Sequence, residues 1–246
     1  LALRPRDAAT YDNLGNALRE LRRFDEAVAA HSRAIELRPA LAAAHANLGR
    51  TLLAANQAET ALPHFARALE LMPAEPVFRG NYATALLAAG QPDAALQQLQ
   101  KAVELSPDSA EARVNLGSAL AQRGQVEAAL VHFEVAVQRA PEFGPAHENL
   151  GTALAALQRW SAARQHFERA VQLRPNSSLA RIQLAVTLVN AGHLAEAVPQ
   201  FEAALALQPQ NPEWRDNFGQ VLRALGRNRE AFEQLEEAAR LRRERR

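Results

Sequence analysis

Residues 141–175 read PEFGPAHENLGTALAALQRWSAARQHFERAVQLRP. The stretch opens and closes on prolines 34 residues apart, and the same step continues in both directions: Pro5, Pro39, Pro73, Pro107, Pro141, Pro175, Pro209. Self-similarity at such a fixed period marks a repeat array, in which each unit buries its apolar face on its neighbours. Counting 34 positions from the third residue after each proline gives repeats 8–41, 42–75, 76–109, 110–143, 144–177, 178–211 and 212–245. Residues 1–7 then match the end of a preceding repeat, since Leu-Ala-Leu-Arg-Pro parallels Ile35 to Pro39.

Other positions keep the same period. Position 11 is always leucine (Leu18, Leu52, Leu86, Leu120, Leu154, Leu188, Leu222), and positions 20 and 27 are always alanine, as at Ala129 and Ala136. Position 8 is glycine or alanine, and position 24 is mostly phenylalanine (Phe65, Phe133, Phe167, Phe201), with His31, Leu99 and Leu235 as departures. Positions 3, 7, 8, 11 and 14 fall on one helical stripe and 20, 21, 24, 27 and 28 on another. The spacing therefore predicts a helical hairpin per repeat. Small residues at 8, 20 and 27 let the two helix axes approach, and the leucine and phenylalanine fill the space between. Glycine at position 15 (Gly90, Gly124, Gly192, Gly226) closes the first helix. The proline at position 32 stops the second. Pro92 suits a first helical turn. Pro63 and Pro199 fall at position 22 and are expected to kink the second helix or delay its start.

These residues resemble the 34-residue pattern of the tetratricopeptide repeat family, over nearly the whole chain. The fold implied is all-α: a right-handed superhelical solenoid of seven helix–turn–helix repeats forming a single array over 1–246. Position 4 departs from the family's first aromatic: it is Tyr11 once, then His45, Arg79, Arg113, His147, Arg181 and Arg215.

Composition excludes several functions. The 28 basic and 27 acidic residues leave a formal charge of +1, which argues against a nucleic-acid surface, since that needs many unpaired cations. Without cysteine there is no disulfide, thiolate metal site or thiol nucleophile, and either redox environment is tolerated. No stretch has the roughly 18 apolar residues that span a membrane, and no signal peptide is visible. A cytoplasmic location is the expectation. No glycine-rich phosphate loop, supported serine or histidine cluster suggests catalysis, a cofactor or a metal. His64, His132 and His166 share position 23, one repeat apart, too far for a common ion. They and His31, His45, His147 and His193 are read as structural or surface residues, and Trp160 and Trp214 as packing residues. The chain is read as a non-enzyme.

One row rises above the scaffold. Position 6 is Asn13, Asn47, Asn81, Asn115, Asn149, Gln183 and Asn217, off the core stripe and on the face shared with positions 2, 9 and 13. A carboxamide both donates and accepts, so it can grip a peptide bond without reading a side chain. The resemblance places that face on the concave surface of the superhelix. It makes the row look like the asparagine ladder of the O-linked N-acetylglucosamine transferases, to which segments such as AHANLG (44–49) and AHENLG (146–151) are also similar. A second role, hydrogen bonding between neighbouring repeats, stays open. The family's carboxylate clamp uses lysine at position 5, and none stands there, so chaperone tails are not the expected ligand.

The expected partner is a protein or extended peptide held in the groove, and neither nucleic acid nor membrane. The other reading is a substrate-recruiting arm of a larger enzyme, such as a glycosyltransferase, with its catalytic domain outside this stretch. The chain begins in the last turn of a helix, as a fragment cut inside an array would. Leu1 and Leu3 would then be open to end-to-end self-association. At the other end position 32 becomes Arg243, and the basic last helix is either a cap or the start of a continuation.

Overall fold

The computed structural model describes residues 7–244. Leu1 and Leu3, on which the self-association expectation rests, lie outside the described residues. The described residues form helices in sequential pairs, one pair per repeat. The first helices are α1 (Ala8–Glu20), α3 (Ala42–Ala54), α5 (Pro76–Ala88), α7 (Ala110–Gln122), α9 (Gly144–Ala156), α11 (Ser178–Asn190) and α13 (Pro212–Ala224). The second helices are α2 (Phe24–Leu37), α4 (Ala58–Leu71), α6 (Pro92–Leu105), α8 (Val126–Arg139), α10 (Trp160–Leu173), α12 (Leu194–Leu207) and α14 (Asn228–Glu244). The chain divides into two compact units, one ending at Ala119 and one starting at Leu120.

Every first helix covers positions 1–13 and every second helix starts at position 17. Pro63 and Pro199 do not delay it: α4 and α12 begin in register with the others and have the same 14 residues as α2. Both prolines sit on the exposed side, where water can satisfy the carbonyl that loses its N–H partner. With Arg243 in place of proline, α14 runs on to 17 residues.

The turn between paired helices is the same each time. The N–H at position 16 donates to the carbonyl at position 11, as Arg159 does to Leu154 at 2.9 Å and Arg227 to Leu222 at 2.9 Å. The N–H at position 15 donates to the carbonyl at position 12, completing a Schellman closure. Position 15 is left-handed in all seven repeats: the four glycines lie at φ 73–83°, and Arg22, Asn56 and Gln158 are held at 58°, 60° and 57°. A side chain is strained there, whereas glycine is not. Gln158→Gly is therefore expected to stabilise the protein by about 0.5–1 kcal/mol, read as a raised denaturant midpoint at constant slope.

The alanines at positions 20 and 27 are almost wholly buried, and a larger residue has no room there. At position 8 the fit is as close. A Cβ on Gly49 would lie 2.9 Å from the Phe65 ring, and one on Gly151 would lie 2.9 Å from that of Phe167. The core crosses repeat boundaries within each unit. Around Phe65 the buried Leu48, Leu52, Ala61 and Ala85 are joined by Val28 and Ile35 of the repeat before and Tyr82 of the repeat after.

Two parts of the expected stripe need correction. Position 14 lies outside the core at Leu21, which is 67% exposed. Position 10 lies inside it, at Thr51, Ala85, Ala153, Thr187 and Val221. Within the units, first helices pack on their own partner and also on the second helix of the preceding repeat, as α3 does on α4 and α2 and α11 on α12 and α10. Their buried arc is therefore wider than one stripe.

Candidate functional site

Position 4, the departure from the family's aromatic, has a shared task. Each of its six non-tyrosine residues donates to the carbonyl of the position-32 proline six residues earlier. The donors are Nε2 of His45 (3.0 Å) and His147 (3.0 Å), Nη2 of Arg79 (2.6 Å), and Nε of Arg113 (2.7 Å), Arg181 (3.0 Å) and Arg215 (3.0 Å). Several also reach position 23 on the second helix. Arg79 donates to Gln98 Oε1 at 2.8 Å and Arg215 to Gln234 Oε1 at 2.7 Å. In the fifth repeat both residues are histidine, and the Nδ1 atoms of His147 and His166 lie 3.1 Å apart. His147 must carry its proton on Nε2 to donate to Pro141, so its Nδ1 accepts from the Nδ1–H of His166. In the second repeat the rings of His45 and His64 stack at 6.0 Å.

These pairs make a pH response. Burial, then the neighbouring histidine, pushes His64 and His166 below the ordinary value of 6.5. A folded-state value below the unfolded one means that the unfolded chain binds more protons as pH falls through 6.5, so the contribution is complete above that value and is lost on acidification. We expect unfolding midpoints to fall between about pH 6.5 and 5, and the fall to shrink in the His64→Gln, His166→Gln double variant. Glutamine already occupies position 23 at Gln98, Gln200 and Gln234.

The position-6 row is not uniform. In the first unit Asn13 is exposed, while Asn47, Asn81 and Asn115 are half-buried. The Asn47 carboxamide is used internally: its Nδ2 donates to Oδ2 of Asp12, in the previous repeat, at 3.0 Å. Asp12 is buried, and its Oδ1 lies 2.8 Å from Nδ1 of the fully buried His31, the residue that replaces phenylalanine at position 24. Hydrogen bonding between repeats is thus a real task of this row at Asn47. In the second unit Nδ2 of Asn149 donates to the Pro145 carbonyl one turn back at 2.8 Å, Gln183 is half-buried and Asn217 is exposed.

Two cavities of about 240 Å³ open on this face, one in each unit. The first has Asn81 and Asn115 in its lining, with Gly80, Leu99 and Ala102. The second is more apolar and has Asn217 and Asn190 beside Val186, Phe201 and Val221. Among the described residues no group of three or more His, Asp or Glu side chains is placed to hold a metal ion, and no helix is long and apolar enough to cross a membrane.

Comparison with known proteins agrees with the helical pairs. Tetratricopeptide repeat patterns match residues 52–112, 120–181 and 154–216, and further patterns of the same repeat match 6–74, 83–145 and 213–245. No curated protein matches significantly. Among solved structures, the anaphase-promoting-complex hetero-tetramer Cut9–Hcn1 is similar with a TM-score of 0.79 at 17% identity, over 89% of this chain and 44% of that one. The chain thus spans less than half the length of that relative. The pilF protein of Pseudomonas aeruginosa is similar at 0.74 and 19% identity, over 87% of this chain and 97% of that one. YrrB, described as a repeat protein with an unusual peptide-binding site, is similar at 0.53 and 28% identity, over 72% of this chain and 91% of that one. These neighbours are diverse members of one repeat class and not glycosyltransferases in particular. The repeat patterns cover far more than half of the sequence, and the chain belongs to the tetratricopeptide repeat family.

Proposed function

We propose that this chain is a protein–protein interaction scaffold that holds an extended peptide or partner segment against its position-6 face. Repeats 8–41 to 212–245 are read as one array with a cytoplasmic location. The observation that carries this reading is the pair Asn81 and Asn115, whose carboxamides line an open cavity and hydrogen-bond to no other described residue. The likeness to YrrB, whose description includes a peptide-binding site, supports it.

Magnitudes describe the kind of ligand. Each carboxamide-to-backbone bond nets about 0.5–1.5 kcal/mol, while ordering each ligand residue costs on the order of 1–2 kcal/mol. The carboxamides alone roughly break even. Micromolar binding therefore needs apolar contacts as well, and the two cavities offer them. The test uses peptides enriched from a random phage-displayed library on the unmodified chain. They are expected to bind the Asn81→Ala, Asn115→Ala variant about tenfold more weakly, with an unchanged circular dichroism spectrum and unfolding midpoint. Equal affinity for both proteins would remove the carboxamides from the binding surface.

The asparagine row also suits the substrate-recruiting arm of a larger enzyme, such as a glycosyltransferase. A sugar-nucleotide-binding domain encoded in the same open reading frame would support that second reading, and a frame without one would remove it.

A further inference from the structure

The third repeat departs from the pattern at two positions that line its cavity. Position 5 is Gly80, and position 24 is Leu99, where four repeats carry phenylalanine. The Cβ that Gly80 lacks would meet nothing nearer than Nδ2 of Asn115, at 3.7 Å, so the space above it is open. Leu99 and Ala102 are buried in the lining, and Val77, 60% exposed, is a further apolar wall. At about 240 Å³ the cavity is smaller than the roughly 300–1,000 Å³ of sites for whole small molecules. It has room for a single long side chain.

Its polar groups are not equivalent. The Thr84 hydroxyl donates to the Gly80 carbonyl at 3.1 Å, and the Ser109 hydroxyl accepts from the Ala112 N–H at 3.2 Å. The carboxamides of Asn81 and Asn115 and the carboxylate of Glu111 have no such partner among the described residues. Glu111 is exposed, lies in the first turn of α7, and is the single ionisable side chain in the lining. An acidic occupant would face it without a counter-charge. A wholly apolar occupant would cover a carboxylate and two carboxamides without bonding them, which is costly. A lysine or arginine satisfies both parts, because its methylene stem packs on apolar walls while its charged head stays at the polar rim.

We infer that the bound segment inserts a lysine or arginine side chain into this cavity, with its stem against Leu99, Ala102 and Val77 and its cation at Glu111. Asn81 and Asn115 then hold the main chain on either side. This rests on the peptide-groove reading above and adds the class of residue that is recognised.

The test is a random heptapeptide library displayed on phage and selected on the whole chain, followed by fluorescence-polarisation titration of the enriched peptides. A shared lysine or arginine is expected. Affinity is expected to fall about tenfold in Gly80→Leu, which plugs the cavity, and at least as much in Glu111→Lys, which reverses its charge. Leucine is the better helix former, so Gly80→Leu keeps the helix, and Glu111→Lys changes only an exposed residue. Enriched peptides without a shared basic residue, or unchanged affinity in both variants, would overturn the inference. The groove reading would survive that result if Asn81→Ala, Asn115→Ala still weakens those peptides. Failure to enrich any peptide would overturn both.

Discussion

Phe167→Ala is expected to lower the free energy of unfolding by about 3–5 kcal/mol, measured by urea titration. Phe167 is 1% exposed and lies against the helix surface that Gly151 leaves bare. Removing the ring forfeits its burial and opens a cavity that α9 and α10 cannot close, because Ala163 and Ala170 already bring the second helix as near as it can come. Neighbouring repeats share their cores, so the loss spreads. Amide exchange should rise first in α9 and α10 and next in α11, which packs on α10. A loss under about 1 kcal/mol would mean that the repeat core is not organised around this ring.

Asp12→Ala is expected to cost about 2–4 kcal/mol, although it removes only a few atoms. It strands Nδ1 of His31 in a site with no access to water and takes away the acceptor of the Asn47 carboxamide. The ring's Nε2 is already buried without a partner, so His31 would keep no hydrogen bond at all. Asp12→Asn, which keeps an acceptor for His31, should lose less. The sharper result concerns the pair. His31→Phe together with Asp12→Ala recreates the combination of Phe65 and Ala46 in the next repeat, and should recover most or all of the loss. Strict additivity of the two single changes in thermal unfolding would show that the pair is not coupled.

The hairpins could be read from the sequence because their causes are local. Leucine at 11, alanine at 20 and 27, and the left-handed turn at 15 act within a few residues of the chain, so a 34-residue period displays them directly. Arg22, Asn56 and Gln158 at that turn are less legible, since glycine is the usual signal and these residues adopt the same angle under strain. The task of position 4 was hidden for another reason. Its acceptor is a main-chain carbonyl, which has no letter in the sequence, and histidine and arginine look unrelated until their donor nitrogens are placed. The site was legible as a row but not as individual roles. Asn47 and Asn115 occupy equivalent positions, yet Asp12 engages the first from 35 residues away, while the second faces a cavity. Position 5 of the preceding repeat separates the two: the Asp12 carboxylate captures the Asn47 carboxamide, and Gly80 leaves space beside that of Asn115.

The bond from position 4 to the proline carbonyl also bears on how such a gene can change. The acceptor belongs to the backbone, so any repeat ending in the same turn offers it, whatever side chains it carries. The second bond, to position 23, stays within the repeat that supplies the donor. Neither half of the junction requires a matching mutation next door. Unequal recombination that duplicates or deletes a 34-residue block therefore leaves every such junction intact, and the length of the array can drift faster than the chemistry that joins it.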